Sequence, residues 1–393
     1  MKRTTRSIIM GIILCILFFC LESKNSRAAV NADGSVPINE ENFPDERFRY
    51  MAVQYDTDKN NILSLEERSV LKHLYINYID PVYYQDTTDY DLVEPFYLTV
   101  RPEIVTLSWR SGKESQQTLS IKGIEYFPEL RSYSVNGYEK TQGSLKKNAK
   151  LREICIDDDG RGGDDPWFCN WTDCSRLERD FPMKKLKVIK IGPGFQCSDF
   201  SLKKAVNLEE LRIGVTDSYY IARSSKLGNV DLTANKKLKK LWLQNVSIKS
   251  LDLRKNTKIQ EVKIVGDRYY YDFDKHAVKV GKMYASIAAP CGLKLPKNNS
   301  LKKLVYMTKN KKLVLTSCKK LSFLQVHSGV ELKFISNWYK THAKKKLTLY
   351  TRGVKTKKSI QRKSKKYVYI KTKKLAAYSP DNDIFNDQPF IHG

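Results

Sequence analysis

Residues 230–264 read VDLTANKKLKKLWLQNVSIKSLDLRKNTKIQEVKI, and one apolar phrase is written twice within them. The apolar positions of the first copy recur 21 residues later, and an asparagine, Asn235 and then Asn256, stands at the same point of each copy. A fixed period near this length is typical of a solenoid, in which each unit buries its apolar edge only when a neighbour stacks on it. The stretch therefore predicts a repeat architecture.

The core of the phrase, L-x-x-L-x-L with conservative substitutions, occurs eight times along the chain. The eight units begin at Leu130, Leu151, Leu186, Leu208, Leu238, Ile259, Leu301 and Leu321. Spacings of 35 and 30 residues indicate insertions between units, and a spacing of 42 leaves room for a degenerate unit around residues 278–287. We expect each unit to contribute one short parallel strand to a curved repeat solenoid, with the leucines in a continuous core.

The first 28 residues have the pattern of a secretory signal peptide. Three basic residues precede an apolar run over residues 8–21, and a small-x-small pattern ends at Ala28. The run is too short to span a membrane comfortably, so we expect signal cleavage and export rather than a signal anchor. The mature chain should then contain no integral membrane segment.

The formal net charge of the chain is +27, which favours polyanions as partners. Export argues against nucleic acid and leaves anionic lipid or an acidic cell-wall polymer. Acidic residues outnumber basic residues by eight over residues 32–110, whereas residues 340–374 contain fifteen basic residues and no acidic residue. We therefore expect residues 340–393, a basic C-terminal cap and tail, to hold the protein on anionic cell wall.

A compact helical head is predicted ahead of the repeats. Asn42 precedes the segment FPDE, which places proline in the first turn and acidic residues near the positive end of the helix dipole. One helical face then carries four apolar residues, Phe48, Met51, Ala52 and Tyr55. Val70, Leu71 and Leu74 indicate a second amphipathic helix after residue 67.

Between these two predicted helices, residues 56–67 resemble an EF-hand calcium loop. Oxygen ligands occupy the loop positions that the motif requires: Asp56, Asp58, Asn60, Ile62 through its carbonyl, Ser64 and Glu67. Asn61 stands where the motif has glycine, and asparagine tolerates a positive φ better than most residues. We expect a structural Ca²⁺ here; in the alternative, side-chain hydrogen bonds hold the loop in shape and no metal binds.

Six cysteines remain after signal cleavage, an even number that permits disulfides in an exported protein. The first four lie around the insertion near residues 157–180, and their pairing stays open. Cys318 occupies the column that holds Asn148, Asn235 and Asn256 in other units, which favours a buried thiol. The insertion itself is rich in aspartate and is compatible with a second cation site, a disulfide-pinned loop or a solvated acidic loop.

Several features resemble the exported leucine-rich-repeat proteins of Gram-positive, clostridia-like bacteria. They are the signal peptide, NFPDE at residues 42–46, the EF-hand-like loop, IKGIEYF at residues 121–127 and units such as LDLRKNTKI at residues 251–259. The resemblance covers roughly residues 38–72 and 120–330 and implies a leucine-rich-repeat solenoid. We expect this solenoid over residues 120–339, preceded by a helical head over residues 29–75 and a connector over residues 76–119. It specifies architecture far better than activity.

Side chains alternate along a strand, so the residue between the last two leucines of each unit should face outward from the core. These positions and their flanks form a basic strip with one aromatic residue: Lys190, Arg212, Lys240, Trp242, Lys263 and Lys303. Such a strip is suited to binding a protein or an acidic polysaccharide on the concave face. The alternative is that lysine simply fills exposed positions, as in the pairs Lys236-Lys237 and Lys319-Lys320 at turns.

No sequence pattern indicates catalysis, because the five histidines lack metal-ligand spacing and neither H-E-x-x-H nor G-x-S-x-G occurs. We therefore expect a monomeric, non-catalytic recognition or adhesion protein that is secreted or cell-surface-associated. Its repeat face should bind a protein or an acidic polysaccharide. A freely secreted effector or scaffold acting on host proteins is the alternative, and a polysaccharide-active enzyme is the least favoured.

Overall fold

The computed structural model describes most of the chain between residues 30 and 326 and three short segments beyond it. The described ranges are residues 30–78, 96–109, 118–138, 141–157, 175–192, 195–214, 225–244, 246–265, 291–297, 300–308, 312–315, 317–326, 331–333, 347–350 and 370–373. The signal segment, the aspartate-rich insertion and most of the basic tail lie outside them. No helix within these ranges is long and apolar enough to cross a membrane.

Within the described ranges the chain forms three α-helices, two 3₁₀ turns and 24 strands. The helices are α1 (Glu46–Val53), α2 (Leu65–Arg68) and α3 (Ser175–Asp180), and the 3₁₀ turns are Ile124–Tyr126 and Met183–Lys185. The strands are β1 (Val36–Pro37), β2 (Ile62–Leu63), β3 (His73–Tyr78), β4 (Phe96–Arg101), β5 (Ile104–Trp109), β6 (Leu119–Ser120), β7 (Ser132–Asn136), β8 (Thr141–Gln142), β9 (Glu153–Asp157), β10 (Val188–Ile191), β11 (Gln196–Ser201), β12 (Glu210–Ile213), β13 (Ser225–Asp231), β14 (Lys240–Gln244), β15 (Val246–Ser247), β16 (Ser250–Asp252), β17 (Glu261–Val265), β18 (Gly292–Lys294), β19 (Lys303–Tyr306), β20 (Lys312–Val314), β21 (Phe323–Val326), β22 (Glu331–Lys333), β23 (Leu347–Tyr350) and β24 (Ile370–Lys373).

One long sheet organises the molecule. It has 13 strands in the order β24-β23-β21-β19-β17-β14-β12-β10-β9-β7-β3-β5-β4 within the described ranges. All neighbouring strands are parallel except β4 and β5, which form an antiparallel pair at one end. The eight predicted units supply β7, β9, β10, β12, β14, β17, β19 and β21, which are consecutive neighbours. The predicted repeat solenoid is confirmed.

The leucine positions of successive units meet in register inside the solenoid. Leu241 pairs with Val262, and Val262 pairs with Leu304 on the next strand. All three side chains are 0% exposed. Each such side chain contributes about 1.5–3 kcal/mol when it is fully buried, so the stack forms one continuous apolar spine.

Buried asparagines join each turn to the preceding one. Asn256 donates from Nδ2 to the carbonyl oxygens of Leu232 and Asn235, at 2.9 Å in both cases. Asn235 makes the equivalent pair of bonds to Leu202 and Ala205, at 2.9 and 2.8 Å. Each of these carbonyls also accepts a hydrogen bond from a backbone amide of its own turn, so the repeated asparagine adds a second bond that joins neighbouring rungs.

The 42-residue spacing does not hide an additional rung of the long sheet. β17 pairs directly with β19, with Glu261 opposite Lys303 and Ile264 opposite Tyr306. Residues 278–287, where a degenerate unit was predicted, lie outside the described ranges. The direct pairing shows that whatever these residues form, they do not separate the two strands.

Residues that lacked a sequence period add strands at the N-terminal end of the sheet. Within the predicted connector, Phe96–Arg101 and Ile104–Trp109 form β4 and β5. The predicted second amphipathic helix over Val70, Leu71 and Leu74 is wrong: α2 ends at Arg68, before these residues, and Leu74 lies in β3. Pairing of β3 with both β5 and β7 explains the difference, because it buries Leu74 completely as part of the sheet.

The N-terminal helices share their apolar core with the first rungs of the solenoid. Phe48, Met51 and Ala52 are buried on one face of α1, in the same cluster as Leu130 and Leu151. The helix begins after Asp45, whose carboxylate accepts a hydrogen bond from the Arg47 amide at 3.0 Å, rather than after the predicted Asn42. The shared core makes α1 part of the end of the solenoid.

A glycine and an arginine hold this end together. Gly123 has a φ of +104°, and a Cβ added there would lie 2.3 Å from the Phe43 ring, so glycine is required. The buried guanidinium of Arg68 donates to the Tyr126 carbonyl at 2.6 Å and also to the Gly34 carbonyl. The IKGIEYF motif therefore forms the surface against which the N-terminal segment packs.

The cysteines divide into two kinds. Cys197 is disulfide-bonded, whereas Cys155, Cys291 and Cys318 are thiols outside any disulfide. Cys318 is completely buried at the asparagine column position, as the sequence predicts. Cys169 and Cys174 lie outside the described ranges.

Candidate functional site

The outward face of the long sheet, meaning the face that points away from the leucine core, carries one side chain from each rung in a continuous row. Strand register places the following residues opposite one another in order: Tyr75, Ser134, Cys155, Lys190, Arg212, Trp242, Lys263 and Val305. This is the order that the repeat spacing predicts from Ser134 onward. We call it the outward row.

Trp242 lies at the centre of the outward row between two cations. The Arg212 guanidinium carbon is 3.7 Å from the centroid of the indole, and the Lys263 ammonium nitrogen is 3.6 Å from it. A cation over a desolvated aromatic ring contributes about 2 kcal/mol. The three side chains, from β12, β14 and β17, therefore form a stack along the solenoid axis.

The predicted basic strip is not purely basic, because glutamates alternate with its cations. Lys190 pairs with Glu153 at 2.6 Å. Glu210 pairs with Arg212 and, at 3.3 Å, with Lys240. Glu261 pairs with Lys263 at 2.9 Å and with Lys303 at 3.4 Å. The six predicted ligand-binding residues are thus brought together, but every cation among them has a carboxylate partner.

The central members of the predicted strip are buried rather than exposed. Arg212, Trp242 and Lys263 are each 3% exposed, and Lys190 is 8% exposed. Only the side chains of Lys240 and Lys303 are substantially accessible, at 42% and 38%. Burial lowers the pKa of Lys263 to about 7, although Glu261 opposes that shift.

Sequence reasoning missed the three glutamates and an apolar patch on the same face. Glu153, Glu210 and Glu261 occupy the first outward position of their strands, two residues before the outward row. Val265, Val305 and Met307 form a small separate cluster, against which Phe323 packs. The repeat period could have predicted these outward positions, because each glutamate and each residue of the apolar patch stands at a fixed offset from the leucines of its unit.

Two hydrogen-bond donors at the centre of the face have no acceptor. The indole Nε1 of Trp242 and the side-chain Nε2 of Gln244 are buried without a hydrogen-bond partner among the described residues. Both lie on β14, two residues apart, and side chains at that spacing share a face. Buried polar groups without partners are uncommon in folded proteins, which marks β14 as unusual within the sheet.

The N-terminal end of the outward face is polar and half-buried. His73 Nδ1 lies 2.7 Å from the Ser132 hydroxyl, and Asn136 donates to the Asn77 side-chain oxygen at 3.0 Å. Burial raises the pKa of the Cys155 thiol to about 12, so it is protonated at neutral pH. This end therefore offers hydroxyl and amide groups rather than a reactive thiolate.

The predicted calcium loop follows α1 and leads into α2. One carboxylate oxygen each from Asp56, Asp58 and Glu67 lie within 4.8 Å of one another, the spread expected of ligands to a single cation. Asn61 adopts a φ of +61°, as its position in the motif requires. The loop pairs through β2 with β1, with Val36 opposite Leu63.

The same carboxylates also bond to the loop itself. Asp56 accepts hydrogen bonds from the Asn60 and Asn61 amides at 3.1 and 2.8 Å. Glu67 accepts from the Ser64 amide at 2.9 Å, while Ser64 accepts from the Glu67 amide, which is a capping box at the start of α2. Burial of Glu67 acts to raise its pKa, but hydrogen bonds from Thr57 and Ser64 outweigh this and lower it to about 2.

Comparison with known proteins gives only distant similarities. No protein-family model matches the chain, and no curated protein matches it. Among solved structures, the functional domain of InlJ from Listeria monocytogenes is 15% identical, with a TM-score of 0.41, over 83% of this chain and 59% of that one. The chain thus spans about three fifths of the InlJ domain.

A second similar structure is internalin C2 from Listeria monocytogenes. It is 11% identical, with a TM-score of 0.31, over 88% of this chain and 100% of that one. The repeat fold of the present protein follows from its own strand register, independently of both similarities.

Proposed function

We propose that this protein is a secreted or cell-surface recognition protein that binds a protein partner, without catalysis, through the outward face of its long sheet. The continuous outward row carries this proposal. Parallel pairing fixes the outward row rung by rung, so its charged, aromatic and apolar groups are held in set positions. Binding should therefore cost little conformational entropy.

A protein partner is favoured over an acidic polysaccharide by the charge pattern. Glu153, Glu210 and Glu261 neutralise the cations of the face, and an acidic polymer would have to displace them. A protein surface can present both signs of charge and so match an alternating pattern. Lys240 and Lys303 are the accessible cations through which such a partner would bind.

The basic tail supports a second part of the proposal, attachment to anionic cell wall. Residues 340–374 contain fifteen basic residues and no acidic residue, so the segment cannot neutralise itself. The tail should therefore be retained on a negative polymer at low salt and released as salt screens the attraction. Export, which the signal-like segment suggests, would place the protein where such a polymer occurs.

We also propose that residues 56–67 hold a structural Ca²⁺. The converging oxygens of Asp56, Asp58 and Glu67 and the positive φ of Asn61 support this assignment. Oxygen ligands of this kind suit a hard divalent cation. The internal hydrogen bonds of the loop support the alternative in which no metal binds, and calcium titration distinguishes the two.

The recognition proposal is tested with the full chain and charge-reversed variants. A partner is first captured from extracellular proteins and identified, and its affinity is then measured at high salt for wild type, Lys240→Glu/Lys303→Glu and the control Lys249→Glu/Lys294→Glu. The control removes the same charge from exposed positions outside the long sheet. We expect the first pair to weaken binding at least tenfold, about 1.4 kcal/mol, and the control to change it less than twofold.

The wall proposal is tested separately by co-sedimentation with anionic wall fragments. Lys357, Lys358, Lys363, Lys365 and Lys366 are changed to glutamine, because deleting the tail would also remove β23 and β24. Retention of the variant at low salt should fall sharply.

If the face variants bind the protein partner normally and only the tail variant fails to bind it, the outward face is not the recognition surface.

A further inference from the structure

A second surface of the solenoid lies at the turns that lead into the repeat strands. Backbone hydrogen bonds stack these turns on one another: the amide of Lys187 donates to the carbonyl of Arg152, and the amide of Lys239 donates to that of Glu209, both at 2.7 Å. The Ser322 amide donates to the Lys302 carbonyl at 2.9 Å. Residues at equal positions in successive turns therefore form columns along the solenoid.

Lysines recur in two of these columns, immediately before the first apolar residue of the units that begin at Leu186, Leu238, Ile259 and Leu321. The units that begin at Leu208 and Leu301 have Val206-Asn207 and Asn299-Ser300 there, and Lys150 before Leu151 pairs with Glu129. Three lysine pairs and one further lysine occupy them: Lys184, Lys185, Lys236, Lys237, Lys258, Lys319 and Lys320. All seven are exposed. We call this set the lysine edge, and it runs from the β10 rung to the β21 rung, about 24 Å at the usual strand spacing.

The lysine edge differs from the outward face in its lack of neutralisation. None of its seven ammonium groups has a carboxylate oxygen within 4.0 Å among the described residues. Lys237 donates instead to the neutral side-chain oxygen of Asn207, at 2.6 Å. On the outward face, by contrast, every predicted cation has a glutamate partner. Other exposed lysines of the described chain, such as Lys226, Lys249 and Lys255, also lack such a partner, so the edge is distinguished by the alignment of its lysines.

The ammonium groups of the lysine edge are close enough to interact electrostatically with one another. Cationic rungs are one or two steps apart, about 5 to 10 Å, which is comparable to the Debye length of about 8 Å at physiological salt. Two ammonium groups 5 Å apart in water repel by about 0.8 kcal/mol before screening. A multivalent anion along the edge relieves this repulsion at several rungs at once.

We infer that the lysine edge binds a linear polyanion with regularly spaced phosphate groups. A linear partner fits because the charges form a line two residues wide rather than a broad field. A lipid surface fits less well, because between residues 184 and 320 of the described chain only two large apolar residues, Val206 and Val314, are exposed. The inference concerns folded rungs, so it is separate from both the outward face and the basic tail.

The test measures binding of long-chain inorganic polyphosphate to the full protein over a range of salt concentrations. The edge variant is Lys185→Gln/Lys236→Gln/Lys258→Gln. Its matched control is Lys226→Gln/Lys249→Gln/Lys294→Gln, which removes three exposed lysines elsewhere on the solenoid. A third variant, Lys363→Gln/Lys365→Gln/Lys366→Gln, removes the same charge from the tail.

We expect the edge variant to bind polyphosphate at least tenfold more weakly at low salt than the control does. The slope of log affinity against log salt should fall by about one for each phosphate group that the edge variant no longer neutralises. Equal weakening in the edge variant and the control would overturn the inference, as would weakening confined to the tail variant. Binding to anionic phosphatidylglycerol vesicles without binding to polyphosphate would assign the edge to a membrane instead. Unchanged thermal unfolding confirms that each variant is folded.

Discussion

At the scale of single residues, the buried asparagines tie one rung to the next. Asn256 is fully buried, and its Nδ2 satisfies two backbone carbonyls of the preceding rung. We expect Asn256→Ala to lower the free energy of unfolding by about 1–3 kcal/mol, because two buried hydrogen bonds between rungs are lost at about 0.5–1.5 kcal/mol each, while both carbonyls keep a bond from a backbone amide. Urea denaturation measures this change directly.

The matched control for that prediction is Asn229→Ala. Asn229 also donates from Nδ2, to Asp199 at 3.0 Å, but both residues are exposed on β13 and β11. Water replaces an exposed hydrogen bond at little cost, so the control should change stability by less than about 0.5 kcal/mol. Similar destabilisation of the two variants would show that burial of the carbonyls is not the cause.

Lys263 couples the stability of the solenoid to pH. Its pKa falls from 10.5 to about 7 on folding, chiefly because the ammonium group is buried. Between those pH values the unfolded chain binds the additional proton, so the contribution of Lys263 to stability rises as pH increases from about 7 towards 10.5. Below pH 7 this contribution is at its lowest.

Replacing Lys263 by methionine should remove that dependence. Measured by urea denaturation, the stability of wild type relative to Lys263→Met should rise by a few kcal/mol between neutral pH and pH 10, since one pKa unit corresponds to about 1.4 kcal/mol. Taking the difference cancels groups that titrate equally in both proteins. A difference that stays constant over this range would contradict burial as the cause.

At the scale of elements, the loop between α1 and α2 decides whether the N-terminal segment responds to calcium. If the loop binds Ca²⁺, a free Ca²⁺ concentration of one hundred times the dissociation constant should stabilise the full chain by about 2.7 kcal/mol. Asp58→Asn should abolish this effect, because it removes a charged ligand. The folded chain should tolerate the change, since Asp58 is exposed and, within the described chain, accepts hydrogen bonds only from Asn60 in the same loop. Calorimetric titration and thermal unfolding provide the two measurements.

Asp33→Asn is the control for the calcium prediction. Asp33 accepts hydrogen bonds from Ser35 in a nearby turn and lies outside the proposed ligand set. The control should keep its calcium response. If wild type itself shows no heat of binding and no shift in unfolding temperature, the hydrogen bonds of the loop alone account for its shape.

The elements also show where a local pattern fails. The spacing of Val70, Leu71 and Leu74 fits a helix, yet Leu74 lies in β3. Such short apolar runs do not distinguish a helix from a strand, and pairing with β5 and β7 decides between them here. The units were predictable because the same pattern recurs eight times, which no single short segment can offer.

At the scale of the whole molecule, the sequence predicts positions better than it predicts environments. The order of Lys190, Arg212, Trp242 and Lys263 along the outward row follows from the repeat period and is observed. Their burial was not predicted, because it depends on packing across strands that lie 21 to 42 residues apart. The pairs Glu210–Arg212 and Glu261–Lys263 lie two residues apart on one strand and could have been predicted from the repeat. The five cations of the predicted basic strip are therefore only partly neutralised, by three glutamates.

The parallel stacking of rungs has a mechanical consequence for a protein held at one end and bound to a partner at the other. Hydrogen bonds between strands run along the solenoid axis. Tension along that axis therefore breaks the bonds between one pair of rungs before those of the next pair. Each 21-residue unit that peels away releases about 70 Å of extended chain. A solenoid pulled along its axis would therefore lengthen in steps of one unit.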